Sequence, residues 1–406
     1  MNEKEIELVV ERLTRRVEQA NTYFLKKIAQ SIKKISKLKP TEAQKLVQIL
    51  KYGGNYEEIV KKIQKYTSLN LDDIDKIFSN YAKKDQQFNE KFYRYRNIPF
   101  LKYDENVALK RQTEALSNIA KNDMFNFSRT NVLGYTTKDL KGNIKFTGLR
   151  EIYNNVLDEA LLNVGQGKET FDSAIGRILS QLGKSGIRTL NYESGRNVRL
   201  DSAIKMHLQS RLRELHNETQ KMIGKEIDAD GVEISVHLNP APDHEDTQGR
   251  QFSNEEFDKL QSGDFAKDYT GKTYTLDHDN KNGYRPISEM NCYHYIFSIV
   301  LGVSKPRYSD DQLKKIKEDN EKGFELDGKH YTLYEGQQIQ RRLEREIRSQ
   351  KDIQIMSRES DNQELLYKSQ NRINKLTKKY KELSDKSGLK PKRERLKVSG
   401  YHRVKV

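Results

Sequence analysis

His237, His244, His278 and His294, together with Cys292, put half of the chain's eight histidines and its only cysteine between residues 237 and 294. Four of the seven prolines, Pro240, Pro242, Pro286 and Pro306, lie in or just beyond the same stretch, so rigid turns accompany these side chains. Zinc takes imidazole nitrogen and thiolate sulfur in a tetrahedron, and His237, His244, Cys292 and His294 supply four such donors, with Asp243 and Asp277 as substitute ligands. Against a metal, a Cys-x-His pair on a regular strand or helix aims its side chains poorly at one ion unless the backbone turns there. Neither a CxxC nor an HExxH spacing is present. The sequence therefore favours a buried, hydrogen-bonded cluster that fixes its loops without a cofactor, with zinc as the alternative. Cys292 beside His244 or His294 is also the one arrangement that resembles a nucleophile with its base. A lone cysteine near Tyr293 and Phe297 reads more simply as a small buried residue. No glycine-rich phosphate loop, Ser/His/Asp pattern or dinucleotide fingerprint occurs, so no catalytic residue is assigned.

The elements that must hold these residues show in the periodicity. Val232, Ile234, Val236 and Leu238 alternate with Glu233, Ser235 and His237, which predicts a half-buried strand carrying His237 on its polar face. Asn239 to Asp243 then turns the chain and presents His244. Ser253 with Glu256 reads as a capping box opening a short helix, and Lys272 to Leu276 as a second short strand. The run CYHYIFSIVLG is apolar enough to be buried and stops at Gly302 and Pro306. Residues 224–308 are thus predicted to form a small α+β domain.

Residues 1–223 read as an elongated helical module. Ile6, Val10, Leu13, Val17, Ala20, Phe24 and Ile28 recur at spacings of three and four along a first helix, a core stripe or else a docking face. Pro40 and Thr41 with Gln44 suggest a capped second helix, and Asn70 the cap of a later one. Gly53-Gly54, Gly134, residues 141–143 and the Gly165/Gly167 pair mark breaks. Arg196, Arg199, Arg211 and Arg213 are expected on a helix around His207 and His216, as an ordinary basic face or as phosphate contacts. In residues 309–385, Asp310 to Glu318 is a charged helix, FELDGKHYTLY a hairpin turning at Asp327-Gly328, and Tyr334 to Ser384 long helix. Ile373, Leu376, Tyr380 and Leu383 fit a heptad seam, most simply within one chain, with self-association as the alternative. The tail 386–406 carries eight Lys or Arg against Glu394 and, with Gly388 and Pro391, is expected not to pack.

Read in order, HLNPAPDHEDTQGRQFS, PISEMNCYHYIFSIVLGVSKPRYSDDQL, DGKHYTLYEGQQIQRRLEREIR and LKVSGYHR resemble the phage minor capsid protein 2 family of tailed bacteriophages and their prophages. The resemblance is strongest from Leu200 onward. Its motif residues are Pro240, Asp243, His244, Gln248, Gly249, Arg250, Asn291, Cys292, His294, Gly302 and Pro306. It implies a minor structural component of the virion near the portal vertex, analogous to the Mu F-like head proteins and assembled in the host cytoplasm. The implied partners are the portal or major capsid protein, and no established catalytic residues come with it. A virion-associated enzyme using the His/Cys cluster and an assembly factor absent from the mature particle are the competing classes.

Composition bounds the same question independently. A formal charge of +15 attracts polyanions, and packaged double-stranded DNA is the natural one for a head protein. Lys390, Lys392, Arg393, Arg395, Lys397, Arg403 and Lys405 of the tail are the expected DNA contacts, although a Lys- and Asn-rich composition also arises from AT-rich coding. Only 34% of residues are apolar and tryptophan is absent, so the core is expected to be thin. No apolar run approaches the roughly 18 residues of a membrane span, and MNEKEIELVV lacks the layout of a signal peptide. One cysteine excludes an intrachain disulfide and suits a reducing cytoplasm. The expected class is α+β, predominantly helical.

Overall fold

In a computed structural model describing residues 3–67, 71–138, 141–191, 195–276, 285–289 and 292–405, the chain is predominantly helical with small antiparallel sheets. The helices are α1 (Glu3–Ile35), α2 (Pro40–Tyr52), α3 (Asn55–Thr67), α4 (Leu71–Arg96), α5 (Val107–Ser128), α6 (Leu149–Asn163), α7 (Lys168–Ser185), α8 (Leu200–Glu226), α9 (Asn254–Gln261), α10 (Asp310–Lys322), α11 (Leu333–Glu359) and α12 (Gln363–Ser387). The strands are β1 (Leu133–Lys138), β2 (Ile144–Gly148), β3 (Arg188–Leu190), β4 (Asn197–Arg199), β5 (Gly231–Ile234), β6 (Gln251–Ser253), β7 (Ala266–Lys267), β8 (Thr273–Tyr274), β9 (Ile296–Ile299), β10 (Phe324–Leu326) and β11 (Lys329–Tyr331). Two compact units result. The first comprises Met1–Val9, Asn70–Asn122 and Met206–Gln337, the second Val10–Leu69, Asp123–Lys205 and Gln338–Val406. Neither has the boundaries 1–223, 224–308, 309–385 or 386–406 that local pattern suggests, because packing joins segments distant in the chain.

In the first unit, β5 is the centre of a three-stranded antiparallel sheet of order β6-β5-β9. Flanked on both edges, β5 is buried along its whole length and ends at Ile234, while Leu238 beyond it is 74% exposed. The expected half-buried strand running to Leu238 is thus corrected to a shorter, fully buried one. Glu233, expected on a polar face, is buried, with Gln251 Nε2 donating to it at 2.8 Å and the Arg307 guanidinium 3.2 Å away. Val232, Ile234, Phe252, Phe257, Leu260 and Ile287 form the core over this sheet. Ser253 caps α9 as expected, its Oγ accepting the Glu256 N–H at 3.2 Å. The β10–β11 hairpin turns at Asp327 (φ 52°) and Gly328 (φ 72°), the positive-φ pair that a two-residue turn requires.

The basic segment before and within α8 departs from the sequence reading. Arg199 lies on strand β4 and Arg196 precedes it, off the helix. Arg213 and His216 are on α8 but buried. The Arg213 guanidinium lies over the Tyr293 ring, and His216 Nε2 donates to the Ile296 carbonyl at 2.8 Å while Nδ1 faces Asp85 at 3.1 Å. These two side chains tie α8 to the strand that follows the cysteine, and neither is placed for phosphate contact.

In the second unit, a four-stranded antiparallel sheet of order β2-β1-β3-β4 occupies the stretch expected to be helical. Gly134, expected as a break, sits inside β1, where an added Cβ would come within 2.2 Å of the Thr147 carbonyl oxygen. The α1 stripe is buried at Val10, Val17, Ala20, Phe24 and Ile28, as the spacing predicts; the side chains of Ile6 and Leu13 lie outside the described residues, as does Asn70. α2 begins at Pro40, so Thr41 is inside the first turn and does not cap it; Glu42 accepts the Lys39 N–H at 3.3 Å.

The long C-terminal helix is two helices, α11 and α12. Asp361 takes φ 61°, and Asn362 caps α12 by accepting the Leu365 N–H at 3.0 Å. The tail, expected to be unpacked, lies along this pair. Tyr401 Oη donates to Gln370 Oε1 at 3.1 Å, Gln354 Nε2 to the His402 carbonyl at 2.8 Å, and Gln340 Nε2 to the Lys390 carbonyl at 3.1 Å. The Lys392 N–H donates to Tyr380 Oη at 2.8 Å. Buried amide groups on the helices thus find partners in tail backbone, which is why so basic a segment is held down.

Candidate metal centre

His244 closes a single 3-10 turn, Pro242–His244, set up by the prolines after β5. Cys292 and His294 lie in irregular backbone immediately before β9, so the Cys-x-His pair escapes the alternation of a strand. All three side chains are buried, at 0%, 1% and 3% exposure. Cys292 Sγ lies 3.4 Å from His244 Nδ1 and 3.5 Å from His294 Nδ1. The sulfur also accepts the backbone N–H groups of Ser288, at 3.2 Å, and of His294, at 3.4 Å. Ser288 holds φ 68°, an uncommon conformation for a serine, in the loop that delivers this N–H.

The outward nitrogens of both imidazoles are anchored. His244 Nε2 donates to the Arg285 carbonyl at 2.6 Å, and His294 Nε2 faces Gln248 Oε1 at 3.3 Å. Gln248 Oε1 also accepts the His237 N–H at 2.8 Å, which identifies that atom as the oxygen. With Nε2 protonated on each ring, both Nδ1 atoms present lone pairs toward one sulfur. Burial pulls His294 down to about 2, helped by His237, His244 and Arg285, and so keeps it neutral. Burial also pushes the Cys292 thiol up, against the pull of its two backbone N–H donors. A thiol whose protonated form is favoured by burial is the opposite of an activated nucleophile, which leaves covalent catalysis at Cys292 without support.

His237 stands beside this trio. Its ring centroid is 4.7 Å from that of His294, and its Nε2 donates to the Tyr293 carbonyl. Asp243, weighed as a substitute ligand, is engaged by the Arg285 guanidinium at 3.0 and 3.1 Å. Asp277, His278 and Asn291 lie outside the described residues. Of the remaining motif residues, Gly249 (φ 72°) packs where a Cβ would meet Leu313 at 2.6 Å, and Arg250 pairs with Asp310. Pro240 is buried, whereas Gly302 and Pro306 are exposed in the turn after β9.

The second unit holds a buried polar centre that the sequence does not announce. The Arg348 guanidinium binds Asp201 at 2.8 Å and Glu18 at 3.0 Å, and Arg199 lies 3.3 Å from Asp201. Asn21 Nδ2 donates to Asp352 at 3.1 Å, while its Oδ1 accepts Tyr135 Oη and the Ile187 N–H, both at 2.9 Å. Burial raises Glu18 to about 7 and Asp352 to about 6, although Arg348 and Arg199 work against it. The two arginines hold Asp201 well below the usual carboxylate range despite its burial. Each of these side chains reads on its own as part of a solvated helix face or loop, and only the junction of α1, α11 and the β4–α8 corner reveals the network.

A family model described as phage minor capsid protein 2 matches residues 1–385. The match takes in the N-terminal half, which resembles the family only in general character by motif, and ends before the basic tail. No curated protein and no solved structure matches the chain.

Proposed function

This chain belongs to the phage minor capsid protein 2 family, and from that premise we propose that it acts near the portal vertex of the head, assisting assembly and contacting packaged DNA. As a member, it is a structural protein of a bacteriophage head. The observation that carries the finer reading is the charge. A chain of formal charge +15 presents Lys390, Lys392, Arg393, Lys397, Arg403 and Lys405 on its surface, on a segment anchored by its own backbone. An anchored row of cations keeps its field in place and needs no ordering when a polyanion arrives. The portal and major capsid proteins are the protein partners of this reading, with assembly in the host cytoplasm. Among the described residues no helix is long and apolar enough to cross a membrane. Burial of Cys292 and His244 favours a structural role for the motif over an enzymatic one.

Protein composition of purified particles, before and after DNA ejection, tests the proposal. The chain is expected in both at low and constant copy number. Its absence from mature particles would turn the reading to an assembly factor that leaves.

A further inference from the structure

We propose that His244 Nδ1, Cys292 Sγ and His294 Nδ1 ligate a structural zinc ion in the first unit. Tetrahedral zinc with Zn–S near 2.3 Å and Zn–N near 2.0 Å places sulfur and nitrogen about 3.5 Å apart. The two separations here are 3.4 and 3.5 Å, and the three donor atoms lie within 4.8 Å of one another. Hydrogen bonding alone fits the sulfur less well. A thiol has one hydrogen, yet two imidazole nitrogens face this one, and two backbone N–H groups point at a sulfur that is a poor acceptor when protonated. A metal-bound thiolate accepts both N–H groups and leaves each Nδ1 lone pair to the ion.

The surroundings are those of a ligand set held in advance. Metal-bound imidazoles donate their other N–H to a carbonyl or carboxylate, which fixes tautomer and ring plane, and the Arg285 carbonyl and Gln248 Oε1 stand in that position. Burial of all three side chains assigns the ion to holding the 3-10 turn and the loop before β9 together.

A single cysteine makes the test stoichiometric. Full-length protein purified without chelator is titrated with an organomercurial while a colorimetric chelator follows released metal. The expected result is one zinc freed per thiol modified, with a lowered Tm afterwards. Cobalt exchanged into the site should give a sulfur-to-cobalt charge-transfer band, lost in Cys292→Ser and kept in His402→Ala. Thiol modification with no metal release, together with cobalt-loaded wild-type protein lacking the band, would overturn the proposal in favour of a hydrogen-bonded thiol.

Discussion

Asn21 shows how much one side chain can hold when every partner is buried. Its carboxamide serves Tyr135 Oη, the Ile187 N–H and Asp352 at once. Asn21→Ala strands all three and is expected to cost on the order of 3 kcal/mol by denaturant unfolding, whereas Tyr135→Phe removes one bond and costs about 1 kcal/mol. The neighbouring carboxylates give a pH signature. Glu18, raised to about 7, and Asp352, raised to about 6, hold protons more tightly folded than unfolded. Their contribution is therefore fully present below about pH 4 and lost as pH rises through 6 to 7. Asp201, depressed, has the opposite sign: its contribution is present above about pH 4 and lost on further acidification. Stability should fall between about pH 4 and 7, and Glu18→Gln should flatten that fall, as read from denaturation midpoints. None of this is legible from the sequence, because Glu18 and Asp352 sit in helices that read as charged surface. The His/Cys donors are legible, since they share one short stretch. That both imidazoles turn Nδ1 toward the sulfur is not, because it depends on carbonyls at Arg285 and Gln248.

At the level of elements, the signals that succeeded are local. Asp327-Gly328 specifies its turn through positive φ at both positions, and Ser253 specifies the start of α9 through one hydrogen bond. The β1–β4 sheet escaped because its strands are at most six residues long and Leu133 pairs with Thr189, far along the chain. The break between α11 and α12 escaped because Asp361 adopts the left-handed conformation without a glycine or proline to advertise it. Two substitutions probe how these elements are locked. Gly183→Ala on α7 brings a Cβ to 2.4 Å from Ile353 and 3.2 Å from the Ser349 carbonyl on α11; overpacking of this kind is expected to cost about 1–3 kcal/mol. Asn362 both caps α12 and donates to the Asp172 carbonyl at 2.8 Å, so Asn362→Ala is expected to cost about 1–2 kcal/mol. Both values are read from chemical denaturation, with an unchanged m-value expected.

For the whole molecule, periodicity gave the fold class and composition the basic character, while domain boundaries drawn from local pattern differ from the packed units. The tail carries the consequence for DNA binding. Removing it would strip Gln370, Gln354 and Tyr380 of partners and confound charge with folding, so neutralisation is the sharper test. Replacing Lys390, Lys392, Arg393, Lys397, Arg403 and Lys405 by Gln should leave Tm nearly unchanged and weaken duplex binding uniformly across sequences. The slope of log affinity against log salt should become shallower by up to about 0.9 for each phosphate that is no longer neutralised. Affinity and slope identical to wild type would remove the tail from the DNA-binding surface.

Because the second unit is woven from three separate stretches, its assembly has a timetable imposed by synthesis. Asn21 leaves the ribosome 331 residues before its carboxylate partner Asp352, and the tail that covers Gln354 and Gln370 follows later still. Until then the Asn21 carboxamide on α1 lacks its Asp352 partner, although Phe24 of the same helix already has Tyr135 of β1 to stack on. Completion of this unit therefore waits on closing a loop of 331 residues, and the nascent chain before that point is where chaperone protection matters most.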